Sequence, residues 1–162
     1  MSDSESEFET RAIHGGLDYI CDTGAVIPPV YLTSTFASGN AAGFDYTRSG
    51  NPNFKNLGAT LASLEGAFFA TVFASGVSAI TAVVSTLKAG DCVVAEENVY
   101  GCTFRLFAQV FAKFGVEVHY VDFTDPSNAR VIGEMKPALV WLESPTNPML
   151  KIIDIGMISE VA

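Results

Sequence analysis

The chain has 162 residues, 49% of them hydrophobic and 17% charged, with 9 Lys and Arg against 18 Asp and Glu for a formal charge of −9. This is one domain or a piece of a larger one, with enough apolar material for a packed core and too much of it for an intrinsically disordered chain. The acidic balance argues against nucleic acid, which needs a basic surface, and equally against an anionic membrane.

Residues 1–10, MSDSESEFET, hold acids and no base, and read as a solvated, disordered tail. They lack the basic and apolar regions of a signal peptide, and no apolar run nears the ~20 residues of a membrane span. Residues 11–53 are rich in Gly, Pro, Thr and Ser without a sustained period, which predicts an extended arm with turns at Pro28-Pro29 and Gly39-Asn40. Leu57, Leu61 and Leu64 then give a short helical stripe, and Phe68 to Ala74 is a continuous apolar run that predicts a buried strand. Val77, Ile80, Val83, Val84 and Leu87 recur at helical spacing, with Gly90 as the stop.

The alternation continues. Cys92 to Ala95 predicts a strand, and Phe104, Phe107, Val110, Phe111 and Phe114 predict one strong helical face. Val116 to Val121 is a further strand. Asp125 before Pro126 is a helix start, an N-cap acid followed by a proline at the first helical position. Ala138 to Leu142 is another buried strand, and Asp154 opens a helix running to Ala162. Strands alternating with helices of this length predict an α/β fold, a mostly parallel sheet with helices on both faces. The pattern stops on an outgoing helix, so 54–162 reads as an incomplete domain with strands still to come. Cys21, Cys92 and Cys102 lack metal-ligand spacing and have only His14 and His119 beside them. No metal site is expected; reduced thiols in a cytoplasm are.

Several stretches could carry chemistry. In YTRSGNP, residues 46–52, Arg48 is displayed on a loop built from Gly50, Asn51 and Pro52. Ser75-Gly76 stands at a helix start, where unpaired N–H groups and the helix dipole suit an anion; a plain serine cap fits the same residues. Asn147, held between the prolines of ESPTNP, and Tyr100-Gly101 both follow predicted strands, where α/β proteins bind ligands; each fits a polar turn as well. There is neither a Gly-x-Gly-x-x-Gly nor a P-loop.

Taken together and in order, these landmarks resemble the pyridoxal-phosphate-dependent enzymes of cysteine and methionine metabolism: cystathionine γ-synthase, cystathionine β- and γ-lyases, methionine γ-lyase and the homoserine sulfhydrylases. The resemblance runs from Thr10 to Ala162 through TRAIHGG, PPVYLTSTF, YTRSGNP, LASLEG, FASG, KAGD, VYGCTFRLF and ESPTNP. It implies the N-terminal portion of the aspartate aminotransferase-like fold, and pyridoxal 5′-phosphate as cofactor. It also implies a small sulfur amino acid as substrate and a homo-oligomer built as a dimer of dimers. Tyr46 and Arg48 would hold the cofactor phosphate in a neighbouring subunit's site. Gly76 and Val77 would offer backbone N–H groups to the phosphate beside Ser75. Tyr100 would stack on the pyridine ring and assist at the leaving group, and Asn147 would bond the phenolic oxygen.

There are departures. Val77-Ser78 stands where the family usually has Met-Ala, Asn53 replaces the usual threonine, and Cys102 is similar to the cysteine of methionine γ-lyases. The family's Schiff-base lysine, its pyridine-nitrogen aspartate and its substrate-carboxylate arginine all lie downstream of ESPTNP. None of Lys55, Lys88, Lys113, Lys136 and Lys151 follows the Ser-x-Thr pattern that introduces that lysine. The chain is therefore expected to be truncated before it, and inactive alone. The rival readings are a non-catalytic product acting as an interaction or relic protein, and an unrelated α/β nucleotide binder.

Overall fold

The computed structural model describes residues 7–16 and 25–162; Cys21 and most of the acidic tail lie outside them. The chain forms two compact units, Met1–Phe73 and Ala74–Ala162.

In the first unit, α1 spans Phe8–His14 and α2 spans Pro52–Glu65. The reading of residues 1–10 as a disordered tail is corrected at its end, because Phe8, Glu9 and Thr10 are the first turn of α1. Tertiary contacts explain this. The Arg11 guanidinium donates to the Ser63 carbonyl, and the Thr60 hydroxyl donates to the Gly15 carbonyl at 2.8 Å. Gly16 has φ of +73°, and a Cβ there would lie 2.4 Å from the carbonyl carbon of Ala59, so the approach needs glycine twice over.

Asn51 caps α2 by accepting from the Asn53 N–H, with Pro52 in the first turn. The predicted leucine stripe is helical, but it is not the buried face: Leu57 and Leu61 are exposed, while Asn56, Gly58 and Ala62 are buried. Small residues win because backbone comes close there; a Cβ on Gly58 would sit 2.8 Å from the Ala70 carbonyl oxygen. Asn53 has a clear task. Its amide accepts from the Tyr31 N–H at 3.0 Å and donates to the Tyr31 carbonyl at 2.9 Å, tying the arm to α2.

Residues 68–74 are not the buried strand that their composition predicts. They have no ladder partner among the described residues, and Phe68 and Phe69 stand 107% and 79% exposed. Apolar content is not enough; a strand requires a neighbour to take its N–H and C=O groups.

The second unit begins with α3, Gly76–Val84, and carries a parallel sheet of β1 (Cys92–Glu96), β2 (Glu117–Val121) and β3 (Leu139–Trp141) in the order β2-β1-β3. Being central, β1 is buried on both faces. Val93 and Ala95 face one cluster with Val84, Phe107, Phe111 and Val116. Val94, between them, faces the other with Phe123, Ala129, Ile132, Ile153 and Ile158. That alternation is the period-2 rule of a strand covered on both sides.

The segment 101–114 is helical but not one helix. It runs from α4 (Gly101–Arg105) through a π turn (Leu106–Val110) into a 3₁₀ turn (Phe111–Phe114). The extra residue in the π turn rotates the succeeding side chains about the helix axis. Phe107 and Phe111 are thus buried while Phe104, Val110 and Phe114 are exposed, and the predicted five-residue face is split. Asp125 does cap, accepting from the Ser127 N–H, but it opens a 3₁₀ turn (Pro126–Ala129) that leads into α5, Arg130–Met135. Asp154 caps α6, Ile155–Val161, through the Met157 N–H. Among the described residues, no helix is long and apolar enough to cross a membrane, and no cluster of His, Cys, Asp and Glu could hold a metal.

Candidate functional site

β1 and β3 are adjacent and parallel, with Ala95 opposite Trp141. The segments that leave them, towards Tyr100 and towards Asn147, therefore emerge at one edge of the sheet, the carboxyl end where open α/β sheets bind ligands. Glu143 joins the two segments. Its Oε2 accepts from the Tyr100 backbone N–H at 2.8 Å. Its Oε1 accepts from the Thr103 hydroxyl at 2.8 Å and the Trp141 indole at 3.3 Å. A second tie runs from the Met149 N–H to Asn98 Oδ1 at 3.2 Å.

The loop carrying Asn147 is folded on itself. The Ser144 hydroxyl bonds both backbone groups of Ile153. Thr146 does the same for Lys151, its N–H donating to the carbonyl and its hydroxyl accepting from the N–H. Asn147 stands exposed at the tip. Lys151, the lysine of this loop, is held by Glu97 and Asp122, each at 3.3 Å. Asp122 foremost raises the ammonium above its ordinary value, so Lys151 stays protonated at neutral pH and is no amine nucleophile.

Ser75 caps α3 by accepting from the Ser78 N–H at 3.2 Å. The N–H groups of Gly76 and Val77 find no partner among the described residues. A Cβ placed on Gly76 meets nothing within 4 Å. α3 and α4 pack together, with Ile80, Val84 and Leu87 meeting Phe107 in one cluster, so the helices begun by Ser75 and Tyr100 share a core.

Tyr100 is exposed beside Cys102, whose sulfur receives a hydrogen bond from Arg105 at 3.0 Å. Tyr100 and then Arg105 lower the Cys102 thiol from its ordinary value, while the same pairing raises the Tyr100 phenol. Burial, and then the charge of Glu117, raise the Cys92 thiol. Thiolate is the reactive form, so iodoacetamide at neutral pH is expected to label Cys102 several-fold faster than Cys92. Arg105→Ala should narrow the gap. Peptide mass spectrometry measures both, and preferential labelling of Cys92 would contradict the arrangement.

Tyr46 and Arg48 belong to the first unit. Thr35 and Tyr46 form an isolated antiparallel bridge, and the Ser49 and Gly50 N–H groups turn back onto the Tyr46 carbonyl. The Arg48 guanidinium carbon lies 5.1 Å from the centre of the Tyr46 ring. No carboxylate pairs with Arg48 among the described residues, so it is presented outward, as the loop composition implies.

The structure thus brings Tyr100 and the Asn147 loop together, and packs the helix begun by Ser75-Gly76-Val77 against the one begun by Tyr100. Sequence reading missed Glu143, Thr103 and Asn98. Glu143 did carry a signal, an acid placed directly after a buried strand, but its three donors come from places that sequence spacing does not connect.

Comparison with known proteins places this architecture. The model of the family described as Cys/Met metabolism PLP-dependent enzyme matches residues 9–162. A probable cystathionine gamma-synthase of Herpetosiphon aurantiacus is 46% identical over 158 residues, covering 96% of this chain and 50% of the relative. Human cystathionine gamma-lyase is 42% identical over 152 residues, covering 91% of this chain and 38% of the relative. The crystal structure of metB from Corynebacterium glutamicum superposes with a TM-score of 0.90 at 35% identity, over 99% of this chain and 43% of that one. CalE6, a methionine gamma lyase from Micromonospora echinospora, gives 0.86 at 40% identity, over 97% and 43%. The chain spans half or less of the lengths of these relatives. It belongs to the family of Cys/Met metabolism PLP-dependent enzymes.

Proposed function

We propose that this chain supplies the phosphate-binding and ring-facing part of the cofactor site of a cytoplasmic sulfur amino acid lyase or synthase. The reaction class is β- or γ-elimination or γ-replacement at a carbon–sulfur centre. The observation that carries the reading is the start of α3, where the N–H groups of Gly76 and Val77, unpaired among the described residues, stand beside the Ser75 hydroxyl and a Cβ on Gly76 would meet nothing within 4 Å. A phosphate ester fits that place, since N–H donors, a hydroxyl and the positive end of a helix converge on it. An aromatic cofactor ring finds the exposed Tyr100 side chain, and the exposed Asn147 amide is available for a phenolic oxygen.

When bound, pyridoxal phosphate supplies the electron sink for the carbanion chemistry. The residues of this chain bind and orient it. Tyr46 and Arg48 serve the phosphate of a neighbouring subunit's site, on an arm that makes the active form a homo-oligomer, a dimer of dimers. Lys151 is committed to its acidic partners, and no lysine here follows the Ser-x-Thr pattern. On this reading these residues alone bind cofactor without turnover. Cys102, two residues after Tyr100, favours methionine γ-lyase-type activity as the second reading.

The test is Arg48→Ala. A charge-assisted hydrogen bond to phosphate contributes about 1.5–3 kcal/mol, so its loss should weaken cofactor binding by roughly 10- to 150-fold. The melting transition should change little, because Arg48 is exposed and its guanidinium lies over the Tyr46 ring rather than in an ion pair with any described residue. Equilibrium dialysis against pyridoxal phosphate measures the first and thermal unfolding the second. Wild-type affinity in the variant would remove Arg48 from the site.

A further inference from the structure

We propose that Glu143 is the positioning residue for Tyr100, fixing through the backbone where the Tyr100 ring stands at the carboxyl edge of the sheet. This rests on the reading of Tyr100 as a cofactor-ring contact.

Tyr100 precedes α4 as its N-cap, so its N–H lies outside the helical ladder and has no helical acceptor. Glu143 Oε2 takes that N–H at 2.8 Å. The Tyr100 carbonyl is fixed on the other side by the Phe104 N–H at 3.0 Å. With both backbone groups held, the ring can move only about its own side-chain bonds.

The carboxylate is itself immobilised. Its second oxygen accepts from the Thr103 hydroxyl, which is completely buried, and from the indole of Trp141 on β3. The Trp141 ring is in turn pinned edge-on against Phe107, with centroids 6.1 Å apart. A rigid strand thus reaches Tyr100 through one side chain. An ionised carboxylate is an acceptor at every lone pair, which suits three converging donors better than an amide would. Its charge also faces the N-terminal turn of α4, where the helix dipole favours it. Glu143 acts on the cofactor through Tyr100 alone, so its removal should displace the ring without deleting a cofactor contact.

The experiment uses the chain with pyridoxal phosphate as the probe and Trp141, its one tryptophan, as the fluorophore. Glu143→Ala, Glu143→Gln and Tyr100→Ala are compared by cofactor quenching of Trp141 emission. Amide hydrogen exchange of Tyr100, followed by NMR without cofactor, reports the tether itself. In Glu143→Ala the Tyr100 amide should exchange about tenfold faster, and cofactor binding should weaken about tenfold, as in Tyr100→Ala. In Glu143→Gln the amide oxygen can still accept from Tyr100 while the NH₂ group faces the indole N–H. That variant should keep amide protection and affinity within about twofold of wild type but shift Trp141 emission.

A variant that frees the Tyr100 amide yet binds cofactor as wild type does overturns the proposal. So does one that keeps the amide protected but loses affinity, and the glutamine variant decides this even if the alanine variant does not fold. A Tyr100→Ala variant with wild-type affinity, or a wild-type chain with no saturable quenching, instead overturns the reading of the site itself, and this inference with it.

Discussion

Replacing Phe107 with alanine is expected to destabilise the second unit by about 3–5 kcal/mol, the usual cost of deleting a fully buried aromatic ring. Phe107 is 0% exposed, lies edge-on to Trp141, and shares a cluster with Val84, Val93, Ala95, Phe111 and Val116. The cavity cannot close easily, because its walls come from α3, the sheet and the 3₁₀ turn at once. Phe114, 65% exposed, should by contrast change stability by no more than about 0.5 kcal/mol when truncated. Phe104 should fall between, since its ring lies 5.5 Å from that of Tyr120, and such a pair contributes about 0.5–1.5 kcal/mol. Urea unfolding followed by Trp141 fluorescence orders the three variants. Equal losses would restore the uniform helical face that the sequence implies and remove the π turn from the account.

That contrast shows what sequence could and could not reveal. Val116–Val121 is legible as a strand because its apolar residues alternate with Glu117 and His119, as suits the edge strand β2. Cys92–Ala95 and Ala138–Leu142 are legible because a parallel sheet covered on both faces demands short unbroken apolar runs. Phe68–Ala74 carries the same signature and is no strand among the described residues. Composition records that a segment wants burial, whereas strand formation depends on a partner elsewhere in the chain. The π turn at Leu106–Val110 was illegible for a related reason. The aromatic spacing fits an ideal helix, and only packing of Phe107 and Phe111 on the sheet selects the local widening. Caps were legible at Ser75, Asp125 and Asp154, because a cap is a local hydrogen bond within three residues of chain; the Asn51 cap of α2 was not, since Gly50, Asn51 and Pro52 read as a loop. For the candidate site, the resemblance supplied Tyr46, Arg48, Tyr100 and Asn147 as residue types in order. It could not supply Glu143, whose partners lie 43, 40 and 2 positions away.

The sharpest separation of folding from binding is expected at Gly76, where aspartate should raise stability and abolish cofactor binding together. Gly76 is the first residue of α3, no acid occupies that first turn, and a Cβ there meets nothing within 4 Å. Its backbone is not left-handed, so a side chain brings no strain. Exchanging glycine for a residue that fits stabilises by about 0.4–1 kcal/mol through the unfolded chain. A carboxylate in the first helical turn adds about 0.3–1 kcal/mol from the helix dipole. The same carboxylate would occupy the space a phosphate needs and repel its charge. Losing even one charge-assisted hydrogen bond, about 1.5–3 kcal/mol, weakens binding at least tenfold, and repulsion adds to that. Gly76→Ala is the steric control: it gains only the unfolded-state part of the stability and should bind with intermediate affinity. Ser75→Ala is the opposite control, since losing the cap costs about 0.5–2 kcal/mol. Thermal unfolding and equilibrium dialysis against pyridoxal phosphate, run on the same samples, give both signs. An aspartate variant that is more stable and still binds as wild type would show that the phosphate docks away from α3. One that is less stable would show that the start of α3 is not the open helix terminus on which the site is built.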